Sequence, residues 1–350
     1  MTGHSYGVYG PLLCGAHSLL FEGVPTFPSP SRFWQMVERH RVTSLYTAPT
    51  AIRALMVHGE APVAAHDLSS LRMLGSVGEP INPEAWRWYH RVVGGRRLPI
   101  IDTWWQTETG GAMLTSFPGA TGMKPGVATK PMFGVAATVA RADGSECAVD
   151  EPGQLLLDRP WPGMLCAVFG DADRLHKAYY APFPGRFFTG DGAVRDADGD
   201  IRILGRTDDV VNVSGHRLGT AEVEAALAAH GDVAEAAVVG VPHAIKGEAL
   251  YAYVTLRGGK AWSAALEREL ATTVRAQIGA IALPDAWHPA PDLPKTRSGK
   301  IMRRVLRKVA AGEADAAAMG DLSTLADPAV VTTLISSHAR LHGKKKAAAA

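Results

Sequence analysis

The stretch "DTWWQTETGG" (102–111) concentrates usable chemistry in one short loop. Asp102, Thr103, Gln106 and Thr107 offer hydrogen bonds, Trp104 and Trp105 offer stacking faces, and Glu108 is a hard oxygen ligand suited to Mg²⁺. A polar loop beside two core tryptophans is the plainer alternative, but paired indoles followed by Q-T-E-T-G-G favour a site. A second loop, "GEP" (Gly78, Glu79, Pro80), follows an apolar run in the same way. "FTGD" ends on Asp191, where a carboxylate at a strand end could accept both hydroxyls of a ribose; on its own it reads more readily as a turn aspartate. "GRTDDVVNVSGHRLG" (205–219) gathers Arg206, Ser214, Arg217 and three glycines. Arginine suits phosphate and glycine lets backbone amides approach an anion, whereas a solvated interdomain linker is the alternative. Last, "LPKTRSGKIMRR" (293–304) crowds Lys295, Arg297, Lys300, Arg303 and Arg304. Most of these cations fit a solvated basic helix. Lys300 differs, because it stands at a loop–helix junction behind Ser298 and Gly299 and could set a point charge on a carboxylate and a phosphate at once.

Other motifs fail on spacing. "GHSYG" (3–7) matches the G-x-S-x-G elbow of serine hydrolases, with Ser5 as nucleophile, but that elbow requires a strand directly before it and only two residues precede Gly3. "TSFPGATGMKPG" (115–126) and "PKTRSGKI" both lack the G-x-x-x-x-G-K-[ST] phosphate loop. "RDADGDIRILGR" imitates a calcium loop through Asp196, Asp198 and Asp200, yet Ile201 replaces the required glycine and Thr207 the final glutamate. It reads as a hairpin turn.

Strand-like and helix-like runs alternate up to about residue 124. "HSLLF", "VTSLYTA", "LRMLGS" and "LPIID" predict buried strands, and "PSRFWQMVERH" and "NPEAWRWYHRVVGG" predict helices, the latter capped by Asn82 with Pro83 at its first position. That alternation argues an α/β layer on a largely parallel sheet, in which ligands gather beyond the carboxyl ends of strands. From about Pro125 the runs shorten and Asp-Gly turns appear, which predicts an antiparallel β subdomain over about 125–207. A small α+β domain follows over 208–312, and a partly disordered Ala-rich tail over 313–350. The fold class is thus α/β with an antiparallel β subdomain, then a small α+β domain.

The bulk numbers narrow the setting. The chain has 350 residues, 47% hydrophobic and 20% charged, enough for more than one core. A net charge of +2 argues against a nucleic-acid-binding polycation. Three cysteines cannot close a disulfide framework, which points to a reducing, cytoplasmic compartment. No apolar run reaches about 18 residues, so no membrane helix is expected.

In their order, "GEP", "DTWWQTETGG", "TGD", "GRTDDVVNVSGHRLGTAEVE" and "LPKTRSGKIMRR" closely resemble the AMP-forming acetyl-CoA synthetases of the adenylate-forming superfamily, from about residue 1 to 312. The resemblance implies a large adenylation domain of which 1–207 is a part, and a small mobile domain. It implies that Gly78, Glu79, Pro80 and the segment Asp102, Thr103, Trp104, Trp105, Gln106 and Thr107 serve adenine and the α-phosphate. Asp191 would bind ribose, Arg206 and Arg217 the phosphates, and Glu108 Mg²⁺. Trp105 and Val77 would bound an acyl pocket wide enough for acetate and, second, propionate. Thr2, Ser214, Gly215 and Arg275 would meet coenzyme A, and the carbonyls of Ala228, His230 and Val233 a structural cation. Asp208 would be the hinge.

The implied reaction has two steps. Acetate attacks the α-phosphate of ATP to give acetyl-AMP and pyrophosphate, with Lys300 as the catalytic lysine. The small domain then turns, and the coenzyme A thiol attacks the acyl carbon. Acetylation of Lys300 would remove its charge, making a lysine acetyltransferase or deacetylase an expected partner. The resemblance also implies N-terminal parts that this sequence lacks, including a Ser/Thr/Gly-rich phosphate loop. Met1 stands where a pocket valine is usual, and Thr26 where a coenzyme A-contacting residue, often Asn, is expected. The sequence is therefore expected to be a truncated chain with weak or no activity alone. A non-catalytic remnant binding AMP or coenzyme A is the alternative.

Overall fold

A computed structural model describes residues 2–20, 22–214, 216–297, 299–313, 315 and 317–348, excluding the side chains at 208, 212, 216, 217, 317 and 342–348. The chain divides into two compact units, Met1–Leu204 and Gly205–Ala350.

In the first unit, β1 (Ser44–Thr47), β2 (Met73–Ser76) and β3 (Ile100–Trp104) lie side by side and parallel. Two short strands, β4 (Leu114–Thr115) and β5 (Lys130–Pro131), extend the sheet antiparallel. Helices Arg32–His40, Pro49–Met56 and Pro83–Trp88 contribute apolar residues to the core built on this sheet: Trp34, Ile52, Leu74, Tyr89 and Ile100 are all fully buried. The third helix starts where its sequence dictates. Asn82 accepts a hydrogen bond from the Ala85 amide at 2.7 Å, and Pro83 fills the first turn, where no amide is needed. Ser5 lies within a helical turn, Gly3–Tyr9, and among the described residues no strand precedes it.

The antiparallel sheet comprises β6 (Ala137–Ala140), β7 (Gly153–Leu157), β8 (Phe187–Arg195) and β9 (Ile201–Arg206), in that order. The turn between β8 and β9 carries the three aspartates of the calcium-loop imitation. The Lys124 ammonium sits among them, at 2.5 Å from Asp196, 2.8 Å from Asp198 and 2.8 Å from Asp200, while Lys130 reaches Asp200 at 2.8 Å. A protein cation holds the turn, as expected of a hairpin rather than a metal loop.

The second unit forms one sheet in the order β11 (His216–Gly219), β10 (Val210–Val213), β13 (Gly247–Leu256), β12 (Val233–His243), with β14 (Ala286–Pro289) running parallel to β13. Helices Thr220–Ala228 and Ala264–Gln277 supply one core; Leu227, Leu270 and Val274 are fully buried in it. Ser263 caps the longer helix through the Leu266 amide at 3.1 Å. Helix Arg303–Ala310 belongs to another core, with Val305, Leu306 and Val309.

One sequence expectation fails: "HSLLF" forms no strand over its described residues 17–20; Leu19 and Leu20 are exposed, 43% and 76% respectively. The Ala-rich tail carries a helix, Ala329–Ala348, whose Val331 and Leu334 are buried beside Tyr251 and Tyr253. Ser337 and His338 fasten it further: Ser337 Oγ lies 2.6 Å from His288 Nε2, and Tyr251 Oη lies 3.1 Å from His338 Nδ1.

Candidate functional site

Because β1, β2 and β3 run parallel, their carboxyl ends open onto one edge of the sheet, and the segments after each converge there. Glu79, after β2, is engaged from the segment after β1: its Oε1 accepts from the Thr50 hydroxyl at 2.5 Å and the Arg53 guanidinium at 2.8 Å. Gly78 and Pro80 are exposed beside it, and Val77 is buried. Thr103 is a cross-brace, donating to the Ser76 carbonyl at 2.9 Å and lying 2.9 Å from the Tyr46 hydroxyl. Tyr46 comes that close because residue 75 is glycine; a Cβ there would lie 2.4 Å from the tyrosine ring. Asp102 does not reach the surface. Its carboxyl is buried, and desolvation pushes its pKa up to about 7, which favours the neutral acid.

The two tryptophans part company. Trp104 is half-buried and packs against the core under the β subdomain, beside residues such as Leu114 and Leu157. Trp105 is half-buried and meets the Tyr6 ring edge-on, 5.1 Å between centroids. Tyr6 is itself pinned, since its hydroxyl accepts the Ala112 amide at 2.6 Å. Thr107 is exposed. Gln106 reaches across to β8: its side-chain amide donates to the Thr189 carbonyl and to Asp191 Oδ2, both at 2.7 Å. The ribose candidate and the middle of the 102–108 loop are thus one hydrogen-bonded unit.

Glu108 and its neighbours are anchored from segment 161–179. Tyr179 donates to Glu108 Oε1 at 2.6 Å, the Leu165 amide to the Glu108 carbonyl at 3.1 Å, and the Trp161 indole to the Thr109 carbonyl at 2.7 Å. Gly110, at φ 75°, closes the turn; any Cβ there would lie 2.4 Å from the Gly163 carbonyl oxygen. Glu108 fits Mg²⁺: one carboxylate oxygen is fixed by a hydroxyl, and Oε2 has no hydrogen-bond donor among the described residues. Mg²⁺ commonly takes one or two carboxylates and completes its shell with phosphate and water.

In the second unit Arg206 is exposed at the end of β9, and Ser214 is exposed at φ 51° with its amide on the Lys246 carbonyl at 2.9 Å. Arg275 is exposed on its helix, while Thr2, in the first unit, stands half-buried at the start of turn 3–9. Gly215 lies outside the described residues, as do the side chains of Asp208 and Arg217. Of the three carbonyls expected to hold a cation, those of Ala228, His230 and Val233, two have a hydrogen-bond partner: the Val233 carbonyl accepts from the Arg257 guanidinium at 3.1 Å, and the His230 carbonyl takes the Val233 amide at 3.0 Å.

The five crowded cations sort themselves. Lys295 pairs with Glu235 at 2.5 Å and Asp292 at 3.1 Å. Arg303 pairs with Glu224, and Arg304 donates to the carbonyls of Met319 and Asp321. Arg297 and Lys300 remain exposed. The Lys300 backbone is fixed, its amide on Thr296 Oγ1 at 3.1 Å and its carbonyl on the Thr296 amide at 2.8 Å, but its ammonium has no partner among the described residues. Most of the charge is structural, and Lys300 is held out.

The sequence reading missed Thr50, Arg53, Tyr6, Tyr179 and Trp161. The rule about strand carboxyl ends, applied to β1 as well, would have found Thr50; nothing local in the sequence points to Tyr179.

A family model described as AMP-binding enzyme matches residues 1–164, and one described as AMP-binding enzyme C-terminal domain matches residues 222–300. The acetyl-coenzyme A synthetase of Caulobacter vibrioides is 58% identical over 339 residues, 97% of this chain and 52% of that protein. The acetyl-coenzyme A synthetase of Beijerinckia indica subsp. indica is 61% identical over 335 residues, 96% of this chain and 52% of that protein. The chain therefore spans about half the length of the curated relatives it matches. Among solved structures, the anthranilate CoA ligase AuaEII in complex with anthranoyl-AMP superposes with a TM-score of 0.73 at 28% identity, covering 85% of this chain and 55% of that one.

Proposed function

This chain belongs to the AMP-binding enzymes, and on that premise we propose that it works in an acetate–CoA ligase, joining acetate to coenzyme A through acetyl-AMP at the expense of ATP. The observation that carries the reading is identity of 58% and 61% to two acetyl-coenzyme A synthetases over nearly the whole chain. Asp191, steadied by Gln106, accepts the ribose hydroxyls. Glu79 and the backbone of 102–107 form the floor for adenine and the α-phosphate, with Arg206 and Arg217 on the phosphate side. Trp105, braced by Tyr6, and Val77 bound the acyl pocket, and a wide indole there excludes long carboxylates by sterics.

Glu108 would hold Mg²⁺, which neutralises phosphate charge when bound. Lys300 brings an unpaired ammonium to the carboxylate and α-phosphate during adenylation, a gain from positioning and preorganised charge. Asp208 is the hinge about which the second unit turns, and Thr2, Ser214, Gly215 and Arg275 receive coenzyme A. An exposed Lys300 is also open to acetylation and to the enzymes that add or remove the group. A cytoplasmic location accords with three free cysteines and with the absence, among the described residues, of a helix long and apolar enough to cross a membrane.

The test is acetate-dependent ATP–pyrophosphate exchange by the purified chain, with Lys300→Ala alongside. Exchange that needs acetate and Lys300 supports ligation; exchange with an aryl carboxylate but not acetate overturns the acetate assignment. A folded chain with no exchange for any carboxylate, yet binding AMP, supports the second reading, a binder of AMP or coenzyme A.

A further inference from the structure

We infer that Tyr179 is the positioning residue for the Glu108 carboxylate, fixing Oε1 so that Oε2 faces the metal–nucleotide. The inference rests on the reading of Glu108 as the Mg²⁺ ligand. Its geometry comes from segment 161–188, a part of the chain that no motif singles out. Tyr179 donates its hydroxyl to Glu108 Oε1 at 2.6 Å. Its ring cannot wander, because it stacks on Phe187 with centroids 4.9 Å apart and planes 5° from parallel. Phe187 is in turn boxed edge-on by Trp161 at 5.4 Å and Tyr180 at 5.9 Å. The same Trp161 holds the Thr109 carbonyl, and the Leu165 amide holds the Glu108 carbonyl. Main chain and side chain of Glu108 are thus gripped by one aromatic platform.

The chemical consequence follows from the donor. A phenol hydrogen on Oε1 removes one of the two oxygens from bidentate use and suppresses rotation of the carboxylate, leaving a monodentate ligand suited to a small octahedral ion. Hydrogen-bond partners of ligating carboxylates of this kind are typically worth about 10- to 100-fold in metal affinity. Tyr180 is an internal control: its hydroxyl lies 3.6 Å from the Met164 sulfur, away from Glu108.

The experiment uses the purified 350-residue chain with Mn²⁺–ATP as the probe, read by enhancement of water-proton relaxation, and near-UV circular dichroism as the fold control. Tyr179→Phe keeps the stack and removes only the hydroxyl; it is expected to weaken Mn²⁺–ATP about 10-fold or more while metal-free AMP binding and the dichroism stay unchanged. Tyr180→Phe is expected to match wild type. Mn²⁺–ATP affinity in Tyr179→Phe equal to wild type, with Glu108→Gln weakened, would overturn the inference and leave Glu108 as ligand. Glu108→Gln equal to wild type, or a wild-type chain with no enhancement, would overturn the metal assignment and this inference together.

Discussion

Gln106 and Asp191 lie 85 residues apart in the chain and 2.7 Å apart in the fold, amide to carboxylate. That bond ties the loop after β3 to β8 and gives the acid a neutral amide donor. Asp191→Ala is expected to lower AMP affinity by about 1.5–3 kcal/mol, roughly 10- to 150-fold, the scale of a hydrogen bond to a charged group. Titration calorimetry with AMP checks it. Gln106→Leu should weaken AMP less, while costing about 1–3 kcal/mol of stability by removing the two hydrogen bonds that Gln106 donates to the Thr189 carbonyl and to Asp191.

Asp102 gives the fold a pH dependence with a definite sign. Burial raises its pKa from an ordinary 3.8 to about 7, so the folded state prefers the neutral acid. The stabilisation is fully present below the ordinary value and is lost as pH rises through about 7. Thermal midpoints measured from pH 4 to 8 should therefore fall toward neutrality. Asp102→Asn, which cannot ionise, should flatten that slope, and a slope unchanged in the variant would show that another group sets it.

Lys295 and Lys300 share a motif and not a role. Removing Lys295 strands Glu235, which is only 16% exposed, so Lys295→Met should cost about 1–3 kcal/mol in a urea titration. Lys300→Ala should stay within about 0.5 kcal/mol of wild type, as an exposed side chain without partners does. Loss of exchange activity in Lys300→Ala at undiminished stability would separate chemistry from fold.

Gly110→Ala should destabilise the first unit, because the turn needs a positive φ and the new methyl would meet the Gly163 carbonyl. A cost of about 1–3 kcal/mol is expected for strain at such a position. Displacing the turn would also displace Glu108, so Mn²⁺–ATP should weaken in the same variant.

Leu334→Ala tests the C-terminal helix. Leu334 is fully buried, and truncating such a leucine costs about 2–5 kcal/mol. A denaturation midpoint equal to wild type would return that segment to the disordered tail its composition suggests.

Local signals carried far, and stopped where partners are distant. Asn82 caps its helix as the sequence predicts, because a cap is a bond to a residue three positions on, and Ser263 does the same for its own helix. The loops after β2 and β3 were legible because parallel strands deliver their ends to one edge. Trp104 and Trp105 looked alike until strand alternation set one against the core. "HSLLF" is apolar enough for a strand, but apolarity supplies no neighbour to pair with. The Ala-rich tail shows little periodicity, and what orders it is tertiary: Tyr251, His288 and the core around Leu334. Tyr179 meets Glu108 across 71 residues, and no pattern in either segment announces the other.

The turn closed by Lys124 has a consequence for ions. A free divalent cation entering among Asp196, Asp198 and Asp200 would have to displace an ammonium that is covalently tethered, present at an effective concentration of roughly millimolar or above whatever the solution contains. The three acids hold Lys124 firmly protonated, so it is also a poor nucleophile toward acyl donors. This lysine is a built-in counter-ion to a carboxylate turn, indifferent to chelators, whereas Lys300 stands exposed.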